Sequence, residues 1–187
     1  FTMTGGSITQ NVSNAQGGGI NAQGTLTITD GTISYNKALA NNGGGIFMEK
    51  NATAEISNAT VVWNETAING GGINATNAGT VTIKDCVVEH NTAGYTGGGV
   101  FLYDNREGTS VNYSLENVTV QDNTAKKYTG GVAVEVQETD TVSLANNLIF
   151  GNKSEDAEND SENAVGGIKS NHELNLENNT ICGNTVL

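Results

Sequence analysis

Apolar residues along this chain recur in short runs, and none of the runs has helical spacing. One kind of run alternates strictly with polar residues, as in Thr25–Thr29 and Thr80–Ile83. Alternation with a period of two, rich in Thr and β-branched residues, is typical of a strand with one buried face. A second kind of run has an aliphatic residue three positions before an Asn, as in Val61-Val62-Trp63-Asn64. The pattern therefore predicts many short strands.

A glycine motif marks a third kind of run. Gly43-Gly44-Gly45-Ile46 has counterparts before and after it, each ending in Ile or Val. These aliphatic residues occupy positions 20, 46, 73, 100, 132 and 168, at intervals of 26, 27, 27, 32 and 36 residues. A nearly fixed interval of this length indicates a repeat architecture.

The repeat predicts an all-β fold, a single-stranded parallel β-helix (solenoid) with about three short strands per coil and six to seven coils. Residues 1–187 form one such domain, which we expect to be a fragment of a longer solenoid. The two longer intervals place insertions near 104–113 and 153–164. Coils in such a solenoid stack about 4.8 Å apart, so equivalent residues form columns along the axis. The aliphatic residues of the motifs are predicted to point inward.

The recurring Asn is predicted to form a ladder at the turn after the third strand. Stacked side-chain amides can donate and accept along such a column while they hold the bend of the chain. The predicted ladder residues are Asn11, Asn36, Asn64, Asn91, Asn123, Asn152 and Asn184.

The position before the ladder Asn is the candidate binding column. It contains Tyr35, Trp63, His90 and Asp122 in successive coils. Aromatic side chains in a row can stack on sugar rings, and His90 could pair with Asp122. The alternative is a turn position that accepts any side chain. Phe47 and Phe101 point outward in this register and are expected to add exposed apolar surface.

Charge excludes some partners. The chain of 187 residues has a formal net charge of −12 and only 8 Lys and Arg. Nucleic acids and anionic membrane surfaces are bound by basic patches, so neither is expected as a partner. No apolar run approaches the length of about 20 residues that a membrane helix needs, so no direct membrane insertion is expected.

An acidic run lies in the second insertion. Its carboxylates could bind calcium, although their spacing differs from known calcium loops, and the alternative is a solvated loop. No other cofactor is expected. The candidate calcium ligands are Glu155, Asp156, Glu158 and Asp160.

An enzyme acting on acidic polysaccharide is the alternative function. Such β-helix enzymes place Asp clusters and a catalytic Lys or Arg on neighbouring coils of one face. Here Arg106 is the only Arg and lies in an insertion, and Asp30, Asp85 and Asp122 do not share a column. The net negative charge would also repel a polyuronate. We therefore predict no enzymatic activity and no catalytic residue. The alternative is a lyase or hydrolase whose catalytic part is degenerate or outside this fragment.

The paired motifs resemble the repeats of polymorphic outer-membrane proteins, which are bacterial surface adhesins. Those repeats alternate Gly-Gly-Ala-aliphatic with Phe-x-x-Asn. Here Gly45, Gly72 and Gly99 stand where Ala is usual, and Ile or Val stands where Phe is usual. The resemblance implies a right-handed β-helix outside the cell, in an adhesin or stalk. Its expected partner is a glycan or protein of the host or of a neighbouring cell, or a second copy through self-association.

Overall fold

The structure is a computed structural model that describes residues 1–156 and 163–187. The part of the chain that it describes contains 25 short strands and no helix. Each strand pairs in parallel with the equivalent strands of the neighbouring coils. The strands wind into a parallel β-helix of six to seven coils, as the repeat predicts. Each coil also has a strand of two residues after the ladder Asn, in addition to the three predicted strands.

The strands form four faces along the axis. The glycine-motif face consists of β3 (Ile20–Ala22), β6 (Ile46–Met48), β10 (Ile73–Thr76), β14 (Val100–Tyr103), β18 (Val132–Glu135) and β22 (Ile168–Ser170). The alternating face consists of β7 (Thr53–Ser57), β11 (Thr80–Lys84), β15 (Asn112–Glu116), β19 (Thr141–Ala145) and β23 (Asn175–Glu177). The ladder face consists of β8 (Ala59–Val62), β12 (Val87–Glu89), β16 (Thr119–Gln121), β20 (Leu148–Phe150) and β24 (Thr180–Cys182).

Two longer strands and the short strands complete the coils. β1 (Thr2–Thr9) and β4 (Thr25–Ser34) run through both the alternating and the ladder face. The short face consists of β2 (Val12–Ser13), β5 (Lys37–Ala38), β9 (Glu65–Thr66), β13 (Thr92–Ala93), β17 (Thr124–Ala125), β21 (Lys153–Ser154) and β25 (Thr185–Val186).

The core is a set of stacked aliphatic columns. Ile46 pairs with Ile73, which pairs with Val100, and all three are fully buried. The strands of the ladder face contribute a second inward column, which consists of Ile33, Val61, Val88, Val120 and Ile149. Ile181 belongs to the same column but is 45% exposed, because no described coil covers it. Burial of these columns is the main stabilising contribution to the fold.

The glycine motif allows neighbouring segments to approach closely at one corner. A Cβ at Gly71 would lie 2.7 Å from the carbonyl carbon of Thr92 and would also collide with the carbonyl oxygen of Gly98. Gly70 has a φ of +69°, which is strained for a residue with a side chain. The motif is therefore required by backbone geometry at this corner.

The Asn ladder runs through six hydrogen-bonded steps from Asn11 to Asn184. At a typical step, Nδ2 of Asn64 donates to Oδ1 of Asn91 over 3.0 Å, and the backbone N–H of Asn64 donates to the same oxygen over 2.9 Å. The second Nδ2 proton of Asn64 goes to the carbonyl of Ile33. Each internal amide thus links three coils. The other steps join Asn11, Asn36, Asn123, Asn152 and Asn184 in the same way.

A second, shorter Asn ladder lies between the alternating and ladder faces. Nδ2 of Asn147 donates to Oδ1 of Asn179 over 2.9 Å, and Oδ1 of Asn147 accepts from the backbone N–H of Val118. This ladder was not predicted from the sequence, because two earlier coils have Ala59 and Cys86 at the position of Asn147.

Arg106 holds the first insertion against earlier coils. Its Nε donates to the buried carboxylate of Asp104 over 2.6 Å, while Nη1 reaches Oδ1 of Asn51 and Nη2 reaches the carbonyl of Ala78. The hydroxyl of the buried Tyr113 donates to the same carbonyl. The only Arg of the chain therefore has structural contacts on all sides of its guanidinium.

The prediction that Phe47 and Phe101 add exposed apolar surface is wrong. Both side chains point away from the central core, but they are only 5% and 3% exposed. The first glycine of each motif lies against them: a Cβ at Gly97 would lie 2.8 Å from Cβ of Phe101. The sequence alternation gave the correct side of the strand and could not show this contact.

Candidate binding surface

The predicted binding column lies at the corner that follows the ladder face. Tyr35, Trp63, His90 and Asp122 all have left-handed backbone conformations, with φ values of 55°, 56°, 52° and 53°. The ladder Asn that follows each of them, such as Asn64, fixes this corner through its hydrogen bonds. The four side chains consequently project outward from equivalent positions of successive coils.

A second corner provides a comparison within the same molecule. Between the alternating and ladder faces, exposed residues with φ values of 50° to 57° form another left-handed column: Asn58, Asp85, Asn117, Asn146 and Asn178. Asn and Asp are the residues with side chains that tolerate this conformation best, because their short polar groups bond locally. The chain uses them throughout one corner and uses Tyr and Trp at the other. Backbone requirements therefore do not explain Tyr35 and Trp63.

The three rings of the column stack on one another. The ring centroids of Tyr35 and Trp63 are 6.3 Å apart with 6° between the ring planes, and those of Trp63 and His90 are 4.3 Å apart with 8° between them. We call Tyr35, Trp63 and His90 the aromatic strip. Stacked pairs contribute about 0.5–1.5 kcal/mol each beyond their buried area. The two pairs offset part of the cost of the left-handed conformation, which is about 1–2 kcal/mol for each bulky residue.

The strip exposes the edges of its rings. Tyr35 is 57% and Trp63 is 50% exposed, which is unusual for side chains of this size in one row. A sugar ring inserted between two parallel rings needs about 7 Å between them, twice the van der Waals contact distance. Both observed separations are shorter than that. A ligand can therefore reach the strip along its edges, where the Tyr35 hydroxyl and the indole N–H of Trp63 are donors.

Asp122 belongs to the same column but is not part of the ring stack. No hydrogen bond or ion pair among the described residues joins it to His90. Its carboxylate lies toward the next coil, where a Cβ on Gly151 would collide with Oδ1. Glu65, in the coil of Trp63, pairs with Lys37 over 2.9 Å beside the strip. The structure thus brings together three of the four predicted binding residues.

The predicted calcium ligands are only partly described. Glu155 is exposed and lies 3.7 Å from the ammonium of Lys153, and Oδ1 of Asp156 is buried without a hydrogen-bond partner. Glu158 and Asp160 lie outside the described residues. Within residues 1–156 and 163–187, no group of three or more His, Cys, Asp or Glu is arranged to hold a metal ion.

Sequence analysis missed a second surface feature, on the glycine-motif face. Two depressions of about 220 and 320 Å³ share Tyr103 and Glu135 in their walls. The sequence feature that could have indicated these depressions is the position three residues after the Ile or Val of each glycine motif. Successive coils have Glu49, Thr76, Tyr103 and Glu135 there. This column had no recurring residue type to draw attention to it.

Over the described ranges there is no helix that is both long and apolar enough to cross a membrane. No curated protein and no solved structure matches the chain significantly. The family model described as right-handed beta helix region matches residues 3–181. This match covers nearly the whole chain and agrees with the stacked parallel strands, so the chain belongs to the right-handed β-helix family.

Proposed function

We propose that this chain is a non-enzymatic segment of a cell-surface adhesin that binds a partner protein through the aromatic strip. The single observation that supports it is the use of Tyr35 and Trp63 at left-handed corner positions, where the neighbouring corner has Asn and Asp. Half-exposed Tyr and Trp held rigidly in a row are typical of the central residues of protein interfaces.

The geometry favours a protein over a glycan at this strip. Sugars bind aromatic residues by stacking on the faces of the rings, and the faces that these three rings turn toward one another are too close together to admit a sugar ring. The edges offer apolar carbon with a few fixed donors, which suits the mixed surface of a folded protein. The glycine and Asn motifs support the finer proposal that the chain is related to the polymorphic outer-membrane adhesins and acts outside the cell.

The test compares the wild-type chain with a Tyr35→Asn/Trp63→Asn double variant. Asn suits the left-handed corner, so the variant keeps the backbone and loses only the rings. Tyr95→Asn is the matched control, because Tyr95 is also a partly exposed aromatic residue but lies on another side of the coil. Thermal unfolding of all three proteins checks that the fold is retained.

The purified proteins, fluorescently labelled, are applied to epithelial cells and to bacterial cells before and after surface proteolysis or periodate oxidation. We expect binding that proteolysis abolishes, that the double variant lowers at least about 10-fold, and that Tyr95→Asn leaves unchanged. Equal binding by the double variant would exclude the strip. Loss of binding after periodate only would indicate a glycan partner.

Two further experiments test other functions of the chain. Sedimentation velocity of the wild-type chain and the double variant detects self-association. Release of unsaturated or reducing sugar ends from polysaccharides would support the alternative of a β-helix lyase or hydrolase.

A further inference from the structure

The glycine-motif face contains a groove that is separate from the aromatic strip. Its floor is the covered ring of Phe101, and one wall is the segment before each glycine motif, with Asn42 and Asn69. The other wall is the outward column of Thr76, Tyr103 and Glu135. These six residues surround a depression of about 220 Å³, which is close to the size of one sugar ring.

Tyr103 supplies an aromatic surface at this groove. Its ring lies 5.8 Å from the ring of Phe101 with 21° between the planes, so packing on Phe101 fixes its orientation. Tyr103 is half-buried and also lines the adjoining depression of about 320 Å³, together with Glu135 and Asn171. One fixed aromatic ring therefore stands between two neighbouring depressions.

Two hydrogen-bond acceptors at the groove have no donor. Oδ1 of Asn69 is buried and has no hydrogen-bond partner, whereas the backbone N–H of the same residue donates to Oδ1 of Asn42. The half-buried carboxylate of Glu135 has no hydrogen bond or ion pair with any described residue, and burial raises its pKa despite the nearby Lys169 ammonium. A fully buried acceptor without a partner, such as Oδ1 of Asn69, is rare in native proteins because it costs about 1–3 kcal/mol, and the half-buried Glu135 carboxylate remains accessible from the groove.

We propose that this groove binds a neutral saccharide, with one sugar ring in each of the two depressions. The sugar hydroxyls donate to the Glu135 carboxylate, and the apolar face of a ring packs on Tyr103. A neutral sugar provides donors for the Glu135 carboxylate without bringing a negative charge to a chain of net charge −12. This proposal is independent of protein binding at the aromatic strip, because the two sites share no residue.

The experiment measures binding of neutral disaccharides to the whole chain. Saturation-transfer NMR is run with maltose, cellobiose, lactose and diacetylchitobiose, and the affinity of any binder is determined by titration calorimetry. We expect at least one disaccharide to bind, and we expect Glu135→Gln and Tyr103→Ala each to weaken its affinity about 10-fold or more. Glu116→Gln, at an exposed glutamate of the alternating face, is the matched control and should change nothing.

Two results would overturn the proposal. One is the absence of binding by all four disaccharides at millimolar concentration, and the other is unchanged affinity in both groove variants. Thermal unfolding checks that Tyr103→Ala is folded. If Tyr103→Ala does not fold, Glu135→Gln still tests the groove. The Tyr35→Asn/Trp63→Asn variant should bind disaccharide normally, so failure of the groove and failure of the strip are distinguishable.

Discussion

Removing one central rung of the Asn ladder should destabilise the whole solenoid. Asn91 is fully buried, and its side chain accepts from the backbone N–H and from Nδ2 of Asn64. It also donates to the carbonyl of Val61 and to Oδ1 of Asn123. Asn91→Ala removes all four bonds and leaves the buried N–H of Asn64 without its acceptor.

The magnitude follows from these contacts. A buried donor without a partner costs about 1–3 kcal/mol and each of the three other lost bonds costs about 0.5–1.5 kcal/mol, so Asn91→Ala should lower the free energy of unfolding by about 2.5–7.5 kcal/mol. Asn11 lies at the exposed end of the same ladder, where water replaces the lost bonds. Asn11→Ala should therefore cost less than about 1 kcal/mol.

Urea unfolding followed by circular dichroism measures both variants, with stability taken from the midpoint at a common slope. A third variant, Asn91→Asp, keeps the oxygen that accepts both bonds from Asn64 but places a second carboxylate oxygen against the carbonyl of Val61 and Oδ1 of Asn123. Burial and these oxygens raise the pKa of the new carboxyl group in the folded state, so the variant should lose stability as pH rises. If Asn91→Ala costs no more than Asn11→Ala, the ladder is not a source of stability and the reasoning is refuted.

Three further substitutions test other parts of the structure. Gly71→Ala should lower stability by about 2–3 kcal/mol because its Cβ meets backbone atoms, whereas Gly24→Ala, which meets nothing within 4 Å, should be neutral in thermal unfolding. Arg106→Ala leaves the fully buried carboxylate of Asp104 without its partner and should cost about 3–5 kcal/mol, with faster hydrogen exchange across residues 104–111; a change below about 1 kcal/mol would contradict the buried pair. Burial raises the pKa of Glu135 in the folded state, so stability should fall as pH rises from its unfolded pKa through this raised value. Urea midpoints across that range should show this fall in the wild type and not in Glu135→Gln.

The repeat made the fold predictable because a solenoid uses the same local contacts in every coil. The intervals between Ile20, Ile46 and Ile73 gave the strand pairing directly, and the structure has that register. The Asn ladder was predictable for the same reason, since one residue type recurs wherever one hydrogen-bonding geometry recurs.

The exposure and the orientation of the outward side chains depend on the tertiary structure and cannot be inferred from a single repeat. The sequence placed Phe101 on the outward side of its strand, but Gly97 of the same coil lies against it and the side chain is buried. It placed Tyr35, Trp63 and His90 in a row, and only the tertiary structure shows that the three rings stack in nearly parallel planes. Asp122 belongs to the same column and turns away from His90.

By itself, therefore, the sequence determined the β-helix, the register of its coils and the identity of its inward columns, because these depend on local periodicity. The tertiary structure decided which outward side chains remain accessible and which polar atoms, such as Oδ1 of Asn69, lack a partner. Accessibility depends on how corners and insertions fold over the faces, and those segments do not repeat. The column of the aromatic strip therefore follows from the repeat, whereas the stacking of its rings and the groove beside Tyr103 are features of the folded chain.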